Sequence, residues 1–108
     1  MEWYSYLAYF FAGALLANGV PHFVRGITGD RFQCPFSSPP AVGESSAVVN
    51  VIWGVVNVFG AYALVAGVGD FKFGLTLSAL MVGAGAFVAS VVLAAYFSRV
   101  RGRQVPVQ

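Results

Sequence analysis

Charged residues are scarce in this sequence. Six Lys and Arg and four Asp and Glu make up 9% of the 108 residues, and the formal net charge is +2. A water-soluble domain of this size needs a polar surface, which so few charges cannot provide. Three of the six basic residues lie close together near the C-terminal end, a pattern typical of a membrane topology signal. The shortage of charge therefore excludes an ordinary soluble domain, and we expect no nucleic-acid partner.

Cysteine and histidine each occur once, as Cys34 and His22. A single thiol cannot form a disulfide within the chain, which leaves a free thiol or a bridge between two chains. A zinc site needs about three or four protein ligands, so we predict no metal site. The sequence also lacks Gly-x-Ser-x-Gly and a phosphate-binding glycine loop. We therefore predict no cofactor and no enzymatic activity.

Three long apolar stretches dominate what is present. They cover residues 3–24, 47–68 and 73–97, and none contains Lys, Arg, Asp or Glu. Each reaches the roughly 20 residues that a helix needs to span a bilayer. The first stretch lacks the basic region and the cleavage site of a signal peptide, so we expect it to be retained. Backbone groups in lipid must be paired within the segment, which favours helices. The sequence predicts an all-α integral membrane bundle of three transmembrane helices, in one membrane domain over residues 1–108.

The two connections between the predicted helices differ in length. Residues 25–46 form a long loop with three prolines, which is unusual in a compact domain unless the loop is functional or disordered, and we expect it over the inner mouth of the bundle. Residues 69–72 predict a tight turn, so helices 2 and 3 should form an antiparallel hairpin. Pro21 predicts a kink or an early end of helix 1.

Basic residues predict the orientation of the chain. The long loop and the tail at residues 98–108 carry five arginines, whereas the tight turn carries only Lys72. The positive-inside rule then places the N-terminus outside and the C-terminus in the cytoplasm, most simply in a bacterial inner membrane. Three of these arginines are also candidates for contact with anionic lipid headgroups; they are Arg99, Arg101 and Arg103.

Polar residues in the first two helices repeat with helical spacing. Asn18, His22 and Arg25 are separated by four and three positions in helix 1, and Asn50 and Asn57 by seven in helix 2. Each helix therefore carries one polar stripe. The amides either bind the helices to one another, or the residues near the inner boundary line a polar pocket.

Small residues predict where the helices pack. They let membrane helices approach closely, and we expect helix 3 to supply the partner of Asn57. The predicted packing residues are Gly54, Gly83, Gly85, Ala86, Ser90 and Ala94.

Three classes of function remain open at this point. The first is a non-enzymatic helix-packing or accessory subunit, which binds lipid and either copies of itself or larger membrane subunits. The alternative is a homo-oligomeric small transporter or channel with the polar stripe as its lining, because three helices alone enclose too little space. A membrane enzyme acting through His22 and Arg25 is the weakest of the three.

Overall fold

The chain forms a bundle of three long helices. The computed structural model describes residues 1–102. Helix α1 covers Trp3–Ile27, α2 covers Ala47–Gly67 and α3 covers Leu77–Gly102. All three are long and apolar enough to cross a membrane. The structure confirms the predicted all-helical bundle, with three helices long and apolar enough to span a membrane.

Helix α1 is the central element of the bundle. It packs along both α2 and α3, whereas α2 and α3 make almost no close contact with each other. The predicted hairpin of helices 2 and 3 is therefore wrong as a packed pair, because α1 lies between them. The reason lies in the glycines of α1, which face both neighbours: Gly19 and Gly26 meet α2, and Gly13 meets α3.

Glycines bring the backbones of α1 and α2 into contact. A methyl group added at Gly19 would lie 2.9 Å from the Gly54 carbonyl oxygen, and one added at Gly54 would lie 2.7 Å from the backbone nitrogen of Phe23. At the end of the same seam, a methyl group at Gly26 would lie 2.7 Å from the Ala47 carbonyl oxygen. Only glycine allows membrane helices to approach this closely.

The contact between α1 and α3 depends on glycines from both helices. A methyl group at Gly13 would overlap the carbonyl oxygen of Val82, and one at Gly85 would overlap the carbonyl oxygen of Phe10. The first half of helix α3 therefore lies directly against the backbone of α1.

Two helix ends differ from the sequence prediction. Helix α1 continues through Pro21 to Ile27 instead of ending early, since the missing N–H of Pro21 removes only one hydrogen bond of the helix. Helix α3 begins at Leu77, later than expected. The cause is local, because Gly74 adopts a φ of 103° and the Thr76 hydroxyl accepts a hydrogen bond from the Ala79 N–H at 3.2 Å, which caps the helix.

The long connection between α1 and α2 folds over one end of the bundle. We call residues 28–46 the cap loop. It contains two short antiparallel strands, β1 (Phe32–Gln33) and β2 (Glu44–Ser45), in which Phe32 pairs with Ser45. Phe32, Gln33 and Cys34 are buried. The cap loop is therefore packed against the helices and contains a short two-stranded antiparallel sheet.

Substitution of Gly85 by Ala should destabilise the protein, whereas Gly83→Ala should leave it as stable or slightly more stable. The added methyl group overlaps Phe10 in the first variant and meets nothing within 4 Å in the second. Overpacking costs about 1–3 kcal/mol, while Ala in an open helical position is favoured over Gly by about 1 kcal/mol. Thermal unfolding in detergent, followed by circular dichroism, compares the two variants. Equal midpoints would contradict the close contact of α1 with α3.

Candidate functional site

The amides in the middle of the helices are paired with each other. The Asn18 Nδ2 donates to the Asn57 Oδ1 at 2.9 Å, and the Asn57 Nδ2 donates to the carbonyl oxygen of Trp53 at 2.8 Å. The expectation that helix 3 supplies the partner of Asn57 is therefore wrong, because α1 separates α2 from α3. The partner comes from α1 instead.

A second polar pair joins the same helices near the cap loop. His22 and Asn50 are both buried, and the His22 Nδ1 lies 2.8 Å from the Asn50 Oδ1. The Asn50 Nδ2 is used elsewhere, since it donates to the carbonyl oxygens of Phe32, Ser45 and Ser46 at 3.2, 3.2 and 3.0 Å. The Asn50 oxygen can only accept, so the Nδ1 of His22 must carry the proton. This assignment leaves the Nε2 of a neutral His22 with a free lone pair.

Helix α3 holds the cap loop from the other side. The Tyr96 hydroxyl donates to the Ala41 carbonyl oxygen at 2.7 Å. The Arg101 Nη1 donates to the Gln33 Oε1 at 2.8 Å and lies 3.6 Å from a carboxylate oxygen of Glu44, and the Arg101 guanidinium carbon lies 4.9 Å from the centre of the Phe32 ring. Side chains from all three helices thus fix the cap loop.

The arginines of the predicted polar stripe and tail have different surroundings. Arg25 is exposed and pairs with Asp30 at 3.5 Å, outside the buried cluster. Arg99 is exposed near the end of α3, whereas Arg101 is drawn into contact with the cap loop. Arg103 lies outside the described residues.

A small cavity lies beneath the cap loop, where the three helices converge. Its volume is about 170 Å³. Within residues 1–102, the buried side-chain nitrogen and oxygen atoms without a hydrogen-bond partner are the Gln33 Nε2 and the Trp53 Nε1. Both side chains belong to the cavity wall, which is formed by Asn18, His22, Gln33, Pro35, Ala41, Trp53, Leu93, Tyr96 and Phe97.

Some of the predicted polar residues meet at this cavity. Asn18 and His22 line the cavity. Asn18 is hydrogen-bonded to Asn57, and His22 is hydrogen-bonded to Asn50. Trp53 was missed by sequence reasoning, although its place three residues after Asn50 and four before Asn57 puts it on the same helical stripe. Gln33, also missed, lies in a loop, where no periodicity signals burial.

The predicted packing residues divide into two groups. Gly54 and Gly85 are buried in contact with α1, and Ala86 lies beside them, close to Gly13. The other three are exposed on α3; they are Gly83, Ser90 and Ala94. The Ser90 hydroxyl donates within its own helix, to the Ala86 carbonyl oxygen at 2.6 Å.

The unpartnered Gln33 Nε2 and Trp53 Nε1 are buried atoms of residues in the cavity wall. Within the described part of the chain, no group of three His, Cys, Asp or Glu residues could hold a metal ion. Comparisons of this chain with protein families, with curated proteins and with solved structures gave no match.

Substitution of Asn50 by Ala should open the cap loop and expose Cys34. The wild-type thiol is buried and is the only one in the chain, so its reaction with a water-soluble maleimide reports on the loop. Asn50→Ala removes the hydrogen bonds to the loop backbone, and a loss of about 1.4 kcal/mol corresponds to a tenfold higher labelling rate.

Asn57→Ala is the matched control, because it removes an amide of the same helix that does not contact the cap loop. It should leave labelling close to the wild-type rate. Equal rates in the two variants would contradict a role of Asn50 in holding the loop.

Proposed function

We propose that this protein is a non-enzymatic accessory subunit of a larger membrane assembly, and that it contacts this assembly through α3. The observation that carries the proposal is the exposure of α3, which packs closely against α1 alone. In the most apolar 18-residue stretch of each helix, 11% of the residues are buried for α3 and 28% for α1. Most of α3 is therefore left for lipid or for another protein.

One exposed side of α3 has the alternation of large and small residues that suits a helical partner. Leu80 and Phe87 are 65% and 71% exposed, and the exposed small residues Gly83, Ser90 and Ala94 lie between and beyond them at helical spacing. Small residues permit close approach of a second helix, and large ones fill its grooves. The Ser90 hydroxyl is bonded within α3, so this side does not require a polar partner.

The pairing of the intramembrane amides weighs against the alternative of a transporter or channel. A solute path needs polar groups that are free to contact the solute. Here the side chain of Asn18 is bonded to Asn57 and that of His22 to Asn50. A conducting oligomer would have to break these bonds, so the packing role is the simpler proposal.

For the orientation, we propose an external N-terminus and a cytoplasmic C-terminus, in a bacterial inner membrane. Arg25, Arg31, Arg99 and Arg101 belong to the cap-loop end of the bundle, and Lys72 follows α2 at the other end. The excess of arginine is the feature that the positive-inside rule places in the cytoplasm. On that side, Arg99 and the other tail arginines would also face anionic lipid headgroups.

The variant Gly83→Phe should detach the protein from its assembly. The site is open in the isolated chain, since a methyl group there meets nothing within 4 Å, so the fold should tolerate the larger ring while a closely packed partner helix should not. Blue native electrophoresis and mass spectrometry of the mild-detergent extract would measure the mass of the complex and its copurifying chains.

Val88→Phe is the control for this experiment, because Val88 is exposed on a different side of α3. It should retain the wild-type mass. A complex with a different protein that is lost only in Gly83→Phe supports the accessory role. A complex made only of copies of this chain would contradict the larger partner and show that α3 binds a second copy instead. A monomer in the wild-type extract would refute the proposal.

The proposed orientation makes a separate prediction for reporter fusions. A green fluorescent protein at the C-terminus should fluoresce and an alkaline phosphatase there should be inactive, because each reporter works on one side of the membrane only. A phosphatase fused in the 68–76 connection should be active. Reversed activities would contradict the orientation.

A further inference from the structure

An apolar groove of about 370 Å³ lies between α1 and α3. It is open to the surroundings of the bundle, since Val20 in its wall is 57% exposed. The Ser90 hydroxyl, also in the wall, donates within its own helix. The other lining residues are all apolar: Ala17, Val20, Pro21, Leu93, Ala94 and Phe97. The groove therefore suits an alkyl chain better than a polar group.

Each wall of the groove is followed by an arginine one helical turn further on. Arg25 comes four residues after Pro21 in α1, and Arg101 comes four residues after Phe97 in α3. Residues at this spacing lie on the same face of a helix. Both helices end at the cap-loop end of the bundle, so the two arginines lie at the same end of the groove.

The ring of Phe32 connects the groove to the two arginines. The Phe97 ring in the groove wall has its centre 4.7 Å from that of Phe32. The guanidinium carbons of Arg25 and Arg101 lie 5.8 and 4.9 Å from the centre of the same Phe32 ring. A charged group at this end of the groove is therefore within reach of both arginine side chains.

This end of the bundle has an excess of positive charge. Asp30 lies 3.5 Å from Arg25, and Glu44 lies 3.6 Å from Arg101. The two arginine side chains are still 46% and 33% exposed, and a guanidinium has five N–H donors, so each keeps donors for a further anion. Among the described residues, these two carboxylates face four arginines at this end: Arg25, Arg31, Arg99 and Arg101.

We propose that the chain binds an anionic phospholipid, with an acyl chain in the groove and the headgroup beside Phe32. The phosphate accepts hydrogen bonds from Arg25 and Arg101. Basic sites between membrane helices on the cytoplasmic side bind anionic headgroups in this way. The proposal rests on the lipid contact proposed above for the arginines, and it adds the groove, Arg25 and the class of lipid.

Native mass spectrometry of the purified chain in detergent tests the proposal, because it counts bound lipid molecules. The chain is titrated with dioleoylphosphatidylglycerol or with dioleoylphosphatidylcholine, which has the same acyl chains and no net charge. The first phosphatidylglycerol should bind with an apparent Kd at least about tenfold lower than that of phosphatidylcholine. Equal affinities would overturn the proposal.

Two substitutions of one ion pair test the headgroup site in opposite directions. Arg25→Gln removes a cation and should raise the apparent Kd for phosphatidylglycerol about fivefold, whereas Asp30→Asn removes a competing carboxylate and should lower it. Unfolding cannot explain a tighter complex. The matched controls Lys72→Gln and Asp70→Asn change an exposed pair of 3.0 Å at the other end of the bundle, and they should leave the Kd unchanged.

Ala94→Phe tests the groove. The added ring should fill the space of the acyl chain and raise the apparent Kd about tenfold, and the fold should tolerate it because Ala94 is exposed. Ala95→Phe is the matched control, since Ala95 is also exposed and does not line the groove. It should bind phosphatidylglycerol as the wild type does.

The site is supported if the variants of Arg25, Asp30 and Ala94 change the affinity as stated while their controls do not. It is refuted if the Arg25 and Asp30 variants bind as their controls do, because the arginines would then act only through net charge. It is equally refuted if Ala94→Phe binds as Ala95→Phe does. The titrations use the chain without a protein partner, so their failure would leave the accessory role intact.

Discussion

The contact of glycine backbones along α1 is the constraint on which the rest of the structure depends. Hydrocarbon gives no hydrophobic driving force between helices, so their association relies on close packing and on hydrogen bonds across the contact. A methyl group at Gly19 would lie only 3.2 Å from the Cβ of Asn57. The glycine seam therefore brings Asn57 within reach of Asn18. A wider separation of α1 and α2 would leave both amides without this hydrogen bond in an apolar surrounding. An unpaired buried polar group costs about 2–7 kcal/mol.

Paired polar side chains also hold the cap loop at one end of the bundle. A buried amide stabilises a protein only when its donors and acceptor are all paired, and Asn50 meets that condition by joining His22 to the backbone of the loop and of the start of α2. The same bonds fix the orientation of the imidazole. On the opposite side, Arg101 fixes the amide of Gln33. His22 and Gln33, two buried side chains beside the cavity, are thus each held in one orientation by a second residue.

The sequence could predict the spans and the polar stripes, because hydrocarbon excludes charge and helices repeat with a fixed period. It could not predict that α1 is central: lipid and the protein interior are both apolar, so the pattern that reveals a buried face in a soluble helix is weak here. Gly83 and Gly85 look equivalent in the sequence, yet only Gly85 touches α1. The start of α3 depends on the cap at Thr76, and the burial of Gln33 depends on the fold of a loop, neither of which the apolar pattern specifies.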